Sequence, residues 1–276
     1  MHPDILNAIR TTGRYPGGSL QVTVRLRAMN IQAYVVHLER SAARHPVVQE
    51  LVRAIPLPTA VLPAVDGRHL DDDTLRRHYR RHVHAPKYPF ALMNSEIGCF
   101  LSYRRAWRKI LDEGLDAALI AEDDVAVAAP RFAEVIQRVA AAIRGDEVVR
   151  FPLHERGEGA IPPSAAGSFA MLEPWLPGLG MQMQMVGREA ARRLLAATEV
   201  FDRPVDSLVQ MQWLHGARVL SARPVIIREI DFAVGGSVIQ LKNGGLVHKV
   251  VHEVKRPILR LAVRAANGRW RHRRAA

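Results

Sequence analysis

The sequence predicts an α/β fold in which helices cover both faces of a largely parallel sheet. Three observations lead there. Short apolar, β-branched runs alternate with stretches of helical spacing along most of the chain. One of those runs, Ala117 to Ala121 (AALIA), is apolar at every position, as a strand buried on both faces requires. The chain has 276 residues and 48% hydrophobic content, enough to bury a full core in one main domain with appendages.

Residues 1–28 carry weak periodicity around a Gly-Gly turn, and the expectation is an extension, disordered or added by a start site upstream of Met29. The main domain is expected over 29–252. Gln32 to Leu38 (QAYVVHL) reads as a strand, and Ser41 to Ala54 as a helix through Val48, Leu51 and Val52. Ala60 to Val65 is a second strand, closed by the turn pair Asp66-Gly67. Leu70 to Val83 has little apolar face and reads as a charged helix or lid.

Asn94 or Ser95 is placed to cap the next helix, with Glu96 in its first turn, an apolar stripe from Ile97 to Leu111, and a stop at Gly114. The AALIA strand follows and delivers Glu122, Asp123 and Asp124 at its C-terminal end. Pro130 to Ile143 is a helix, Glu147 to Phe151 a strand, and Glu155 to Gly167 a Gly/Pro-rich loop. Met181 to Val186 leads into a helix from Arg188 to Ala197. Pro204 to His215 reads as one helix with Asp202 as its cap, and Arg218 to Arg228 as one or two short strands.

The net charge of +12 calls for an anionic partner without choosing among nucleic acid, lipid and phosphate. Its excess collects in the tail, residues 253–276, where cations interleave with Ile258, Leu259, Leu261 and Val263 as on an interfacial helix. The tail therefore reads either as a docking segment for an anionic membrane surface or as a disordered solubilising end. Neither it nor the Arg-rich stretch from Arg76 to His84 carries an aromatic stacking set, so nucleic acid is not expected. No run approaches the ~18 apolar residues of a spanning helix, and the first residues lack the apolar middle of a signal peptide. With the single Cys99, read as core, this gives the expectation of a soluble cytoplasmic protein.

Adjacent carboxylates at the end of a buried strand raise one another's pKa unless a cation offsets the repulsion. Glu122, Asp123 and Asp124 are thus candidate ligands for Mn2+ or Mg2+, which also take phosphate oxygens. Taken alone, the triplet leaves open a solvated acidic turn. His69, His78, His82 and His84 lack the paired spacing of a zinc site.

The blocks YVVHLERSAARH (Tyr34 to His45), AVDG (Ala64 to Gly67), SEIGCFLSYRRAWRKILDEG (Ser95 to Gly114), ALIAEDDV (Ala118 to Val125) and PVD (Pro204 to Asp206) together resemble glycosyltransferase family 25, the lipooligosaccharide galactosyltransferase family. The similarity runs from about Met29 to about Ser237 in the family's order. Two departures are His37-Leu38-Glu39, where the family reads Asn-Leu-Asp or close to it, and Tyr103, where it often has His.

The resemblance implies a GT-A-type domain, a divalent metal, and inverting transfer of galactose or glucose from a UDP-hexose to a lipopolysaccharide or lipooligosaccharide core. It assigns metal and diphosphate to Glu122, Asp123 and Asp124, and the nucleotide to His37, Leu38, Arg40 and Arg44. Asp66 and Gly67 match a turn near the donor, and Gly235 to Ser237 is similar to a C-terminal motif, making Ser237 a further phosphate donor. Asp124 and Asp206 become the catalytic candidates, with Asp206 as the base; its plain alternative is a helix N-terminal acid. Peripheral attachment at the cytoplasmic face of the inner membrane goes with a lipid-linked acceptor. The competing readings are a family member that binds sugar or a partner without turnover and, further off, a nucleic-acid-binding protein.

Overall fold

The computed structural model describes residues 6–12, 22–154, 168–230 and 246–275. The loop from Glu155 to Gly167 and the Gly235 to Ser237 turn, with the phosphate-donor role read for Ser237, lie outside the described residues. Strands β1 (Leu6–Thr12) and β2 (Val22–Ala28) pair as an antiparallel hairpin where periodicity is weak.

The main body follows in the order β3 (Ile31–His37), α1 (His45–Ala54), β4 (Thr59–Pro63), α2 (Asp72–His78), α3 (Asn94–Asp112), β5 (Ala117–Glu122), β6 (Val125–Val127), α4 (Phe132–Ala142) and β7 (Glu147–Arg150). It continues with β8 (Ala170–Leu172), β9 (Met183–Gly187), α5 (Arg188–Ala197), α6 (Val205–Val209), α7 (Gln212–His215), β10 (Arg218–Arg223), β11 (Ile227–Glu229) and α8 (Leu246–Ala275).

Seven strands form the central sheet in the order β4-β3-β5-β9-β7-β10-β8. β4, β3, β5, β7 and β10 run in one direction, while β9, between β5 and β7, and β8, on the edge, run against them. β6 and β11 make a separate antiparallel pair. The expected α/β architecture with helices on both faces is what the chain adopts.

The two-residue period of a strand sorts side chains to the two faces. Tyr34, Val36, Ala118 and Ile120 pack with Phe100 and Trp107 of α3 and Leu194 of α5. Ala33, Val35, Leu119 and Ala121 pack with Leu51 of α1 and Ile136 of α4. Every residue from Ala117 to Ala121 is wholly buried.

Several local expectations shift. The cap of α3 is Met93 rather than Asn94 or Ser95, because Glu96 reaches back to accept from the Met93 N–H at 2.7 Å. Pro204 to His215 is two helices, α6 and α7, broken at Gln210-Met211. Asp202 does not cap them; it pairs with Arg203 and accepts from the His84 N–H at 3.0 Å. Gly114 ends α3 with φ of 60°. The tail forms the C-terminal part of the helix α8. No helix among the described residues is long and apolar enough to cross a membrane.

One close approach fixes the geometry beside the sheet. A Cβ on Gly67 would stand 2.1 Å from the Asn94 carbonyl oxygen, and one on Gly98 would stand 2.7 Å from that of Val65. The turn after β4 therefore lies directly on the first turns of α3, with no room for a side chain between them.

Candidate functional site

The C-terminal ends of β3, β4 and β5 converge on a cavity of about 370 Å³. Its walls come from Leu38, Arg40 and Arg44 after β3, Asp66 to Arg68 after β4, the first turn of α3 from Met93 to Ser95, and Glu122, Asp123 and Asp124. An open α/β sheet holds ligands beyond the carboxyl ends of its strands. The start of α3, at the positive end of its dipole, adds a wall suited to an anion.

Within this cavity the three acids divide into different roles. Asp123 is buried, and its carboxylate is gripped by Arg44 on one oxygen and by His37 Nδ1, at 2.7 Å, on the other. The Leu38 N–H donates to that second oxygen at 3.3 Å. Both oxygens are thus engaged by the segment that follows β3. Asp123 acts as a brace, and His37, buried beside it, stands behind the wall rather than in it.

Glu122 has a different partner. Its Oε1 lies 2.8 Å from the Tyr103 hydroxyl, which also lies 2.6 Å from the Met181 carbonyl oxygen. A phenol has one proton to donate. Both contacts are satisfied when Glu122 is protonated, since it then donates to Tyr103 while Tyr103 donates to Met181. Burial, and then the neighbouring Asp124 and Asp123 charges, push Glu122 up to about 8, which agrees with that arrangement. Burial also raises Asp124, with Arg44 working against it, and Asp124 Oδ1 is buried without a hydrogen-bond partner.

Arg40 Nε donates to Asp66 at 2.9 Å, and Arg68 binds the same carboxylate at 2.8 Å. The Arg68 hydrogen bonds hold Asp66 well below the usual carboxylate range. Among the described residues, no three His, Cys, Asp or Glu side chains converge as a preformed metal site.

A second cavity, of about 460 Å³, adjoins the first and shares Cys99, Glu122 and Asp124 with it. The remaining wall comes from Tyr88, Phe90, the Leu179 to Gln182 segment, Arg203 to Ser207, Glu229, and α8 through Arg256, Leu259, Arg260 and Val263. Asp206 belongs to this side. Its carboxylate accepts from the Gly180 N–H at 3.0 Å and the Ser207 N–H at 2.6 Å, which hold it at the cavity wall.

The sequence-predicted residues therefore gather in one cleft with two compartments: Leu38, Arg40, Arg44, Asp66, Gly67 and Asp123 in the first, Asp206 in the second, and Glu122 and Asp124 between them.

Residues 30–155 match the profile described as glycosyltransferase family 25 (LPS biosynthesis protein). A glycosyltransferase 25 family member of Drosophila pseudoobscura pseudoobscura is 34% identical over 33% of this chain and 15% of its own length. Procollagen galactosyltransferase 2 of Mus musculus is 27% identical over 34% of this chain and 16% of its own. An inactive glycosyltransferase 25 family member 3, also of Mus musculus, is 23% identical over 71% of this chain and 36% of its own. This chain thus spans little more than a third, at most, of these relatives.

Tyr103 stands in the family 25 region, yet composition gives it no role; its hydroxyl links Glu122 to the segment before β9. Arg203, Arg256 and Arg260 of the second cavity likewise match no motif in the sequence. Arg256 and Arg260 show in the sequence only through the excess of cations in the tail, and Arg203 carries no local signal.

Proposed function

We propose that this chain transfers a hexose, galactose or glucose, from a UDP-sugar to a saccharide acceptor with inversion at the anomeric carbon. A lipopolysaccharide or lipooligosaccharide core is the acceptor that fits the family description. The observation that carries the reading is the meeting of two cavities at Glu122 and Asp124, one walled by Arg40, Arg44 and the start of α3 and one sized for a saccharide. Donor and acceptor would occupy one each, and the bond would be exchanged where they join.

On the donor side, Arg40, Arg44 and the first turn of α3 would face the diphosphate. Asp123 would hold Arg44 and the Leu38 N–H in position for it. On the acceptor side, Asp206 would take the proton from the attacking hydroxyl, its carboxylate aimed by Gly180 and Ser207.

The family resemblance brings in a divalent cation, and Asp124 with Glu122 fits one: a buried oxygen that accepts no hydrogen bond from the described residues stands beside a carboxyl that burial and then like charge push upward. Asp123 fits it less well, both oxygens being taken. When bound, Mn2+ or Mg2+ would neutralise the leaving diphosphate.

A second reading keeps binding without turnover, and the match of 71% of this chain to an inactive family member of Mus musculus favours retaining it. Calorimetric titration with UDP, UDP-galactose and UDP-glucose, with Mn2+ or with chelator, tests both. Metal-dependent binding that is lost in Asp124→Ala, together with UDP release on adding acceptor, supports transfer. Binding without release supports the second reading, and no nucleotide binding at all sinks both.

We further propose attachment of α8 to an anionic membrane surface on the cytoplasmic side. Ile258 and Leu261 are 61% and 66% exposed on a helix carrying Lys255 and Arg264. Co-sedimentation with phosphatidylglycerol vesicles should fall several-fold in Ile258→Asp/Leu261→Asp, and unchanged binding would remove the idea.

A further inference from the structure

The C-terminal helix docks through a stripe of residues four apart. Asn267 is wholly buried: its side-chain oxygen accepts from the Gln212 N–H at 3.1 Å, and its amide donates to the carbonyls of Trp175 at 3.1 Å and Gln210 at 2.9 Å. One turn on, Arg271 donates to the Glu173 carbonyl at 3.1 Å, and one turn back Val263 is buried. These contacts fix the rotation of the helix about its axis. Residues further back on the same face, at 256 and 260, are then carried onto the wall of the second cavity.

The residues at those two positions are arginines. Arg256 and Arg260 make no hydrogen bond or ion pair with any described residue. Both are exposed and one helical turn apart, so they repel each other, and although Asp206 and Glu229 share the wall, neither forms an ion pair with them. Arg203 lines the same cavity. It is wholly buried against Asp202 and the carbonyls of His84 and Pro86, and it still leaves its Nη1 without a hydrogen-bond partner.

The chemistry that satisfies such a set is a phosphate or carboxylate, which a guanidinium fork meets with two parallel hydrogen bonds. We propose that Arg256 and Arg260, with Arg203 beneath them, recognise an anionic group carried by the saccharide in the second cavity. The acceptor class is then an acidic sugar, phosphorylated or carboxylated, rather than a neutral one. This rests on the reading of the second cavity as the acceptor compartment.

The test uses the full chain and small probes. Galactose, galactose 6-phosphate, galacturonate and inorganic phosphate are titrated calorimetrically into the wild type, R256Q/R260Q, R256K/R260K and K255Q. Each protein is also titrated with UDP, and each is sedimented with phosphatidylglycerol vesicles.

The expected result is that the acidic sugars bind about tenfold or more tightly than galactose, as one or two charge-assisted hydrogen bonds allow. That preference should vanish in R256Q/R260Q, weaken in R256K/R260K, where charge survives without the fork, and persist in K255Q, whose side chain is outside the cavity wall. UDP affinity should be the same in all four.

Absence of the preference in the wild type, or its survival in R256Q/R260Q, overturns the anion site while intact UDP binding leaves the donor reading standing. Inorganic phosphate binding as tightly as the sugar phosphates overturns saccharide recognition in favour of a free-phosphate site. Loss of vesicle binding alone in R256Q/R260Q overturns it in favour of a lipid headgroup. Failure of UDP to bind, with the Arg-dependent preference intact, removes the transferase reading and keeps the acidic-sugar site.

Discussion

In the first cavity the carboxylate of Asp123 is gripped from two sides by Arg44 and His37, whereas in the second, among the described residues, Asp206 accepts only from the backbone N–H groups of Gly180 and Ser207. The cations differ in the same sense. Arg40 and Arg44 are tied to Asp66 and Asp123, while Arg256 and Arg260 have no ion pair with any described residue. The first compartment is a braced frame whose charges fix one another's positions. The second keeps charge on its walls for something that arrives from outside.

The sharpest way to separate the compartments is Asp206→Asn. If Asp206 is the base, kcat should fall about 10²–10⁴-fold, the usual worth of general-base catalysis, while UDP affinity stays put. Equal loss of both in paired kinetics and calorimetry would mean that the compartments are not independent.

The brace is tested by Arg44→Met. Removing one partner of a buried pair leaves Asp123 uncompensated, so urea unfolding should show a loss of about 3–5 kcal/mol. Asp123→Asn in the same background should recover part of it, and no recovery would show that the cost lies in lost packing.

A third measurement uses pH to test the packing of the short helix α7 behind the second compartment. His215 ends α7; its Nε2 donates to the Val209 carbonyl at 3.0 Å, and its Nδ1 accepts from the Ala217 N–H at 3.1 Å. A proton on Nδ1 would face another N–H, and burial pulls the ring down to about 4 from 6.5. Between those values the unfolded chain holds a proton that the native one does not, so stability is full above about pH 6.5 and falls as pH drops towards 4. The window is worth roughly 3 kcal/mol. His215→Ala should flatten the slope of unfolding free energy over that range; an unchanged slope would point to other groups.

The smallest expected effect is from Asn267→Ala. It leaves the Gln212 N–H and two carbonyls unpaired, which should cost about 1–3 kcal/mol. If α8 serves the second compartment, the acceptor KM should rise with UDP affinity unchanged. A rise in both would assign the helix to overall stability instead.

The two compartments also differed in how far they were legible in sequence. His37 to Arg44, Asp66-Gly67 and Glu122 to Asp124 each sit where an apolar run ends, and a run that ends in polar residues shows both the strand and the place where a ligand can reach it. The second compartment collects Tyr88, Gly180, Arg203, Asp206, Glu229 and Arg260 from separate segments, most of them without local periodicity of their own. The helix α8 was visible only as interleaved cationic and apolar residues, and its docking through Asn267 depends on partners 55 and 57 residues away and, at Trp175, 92 away.

The sequence by itself determined the layered α/β fold, the strand ends that carry the first cavity, and the acidic triplet between the two. It could do so because hydrophobic period and turn residues act over a few positions of the chain. Only the tertiary structure decided that Asp123 braces Arg44 and His37, that Glu122 meets the Tyr103 hydroxyl, and that Arg256 and Arg260 line the second cavity. Each of those outcomes depends on how buried charges and the rotation of a helix are settled by residues far apart in the chain, and no local pattern encodes such a contact.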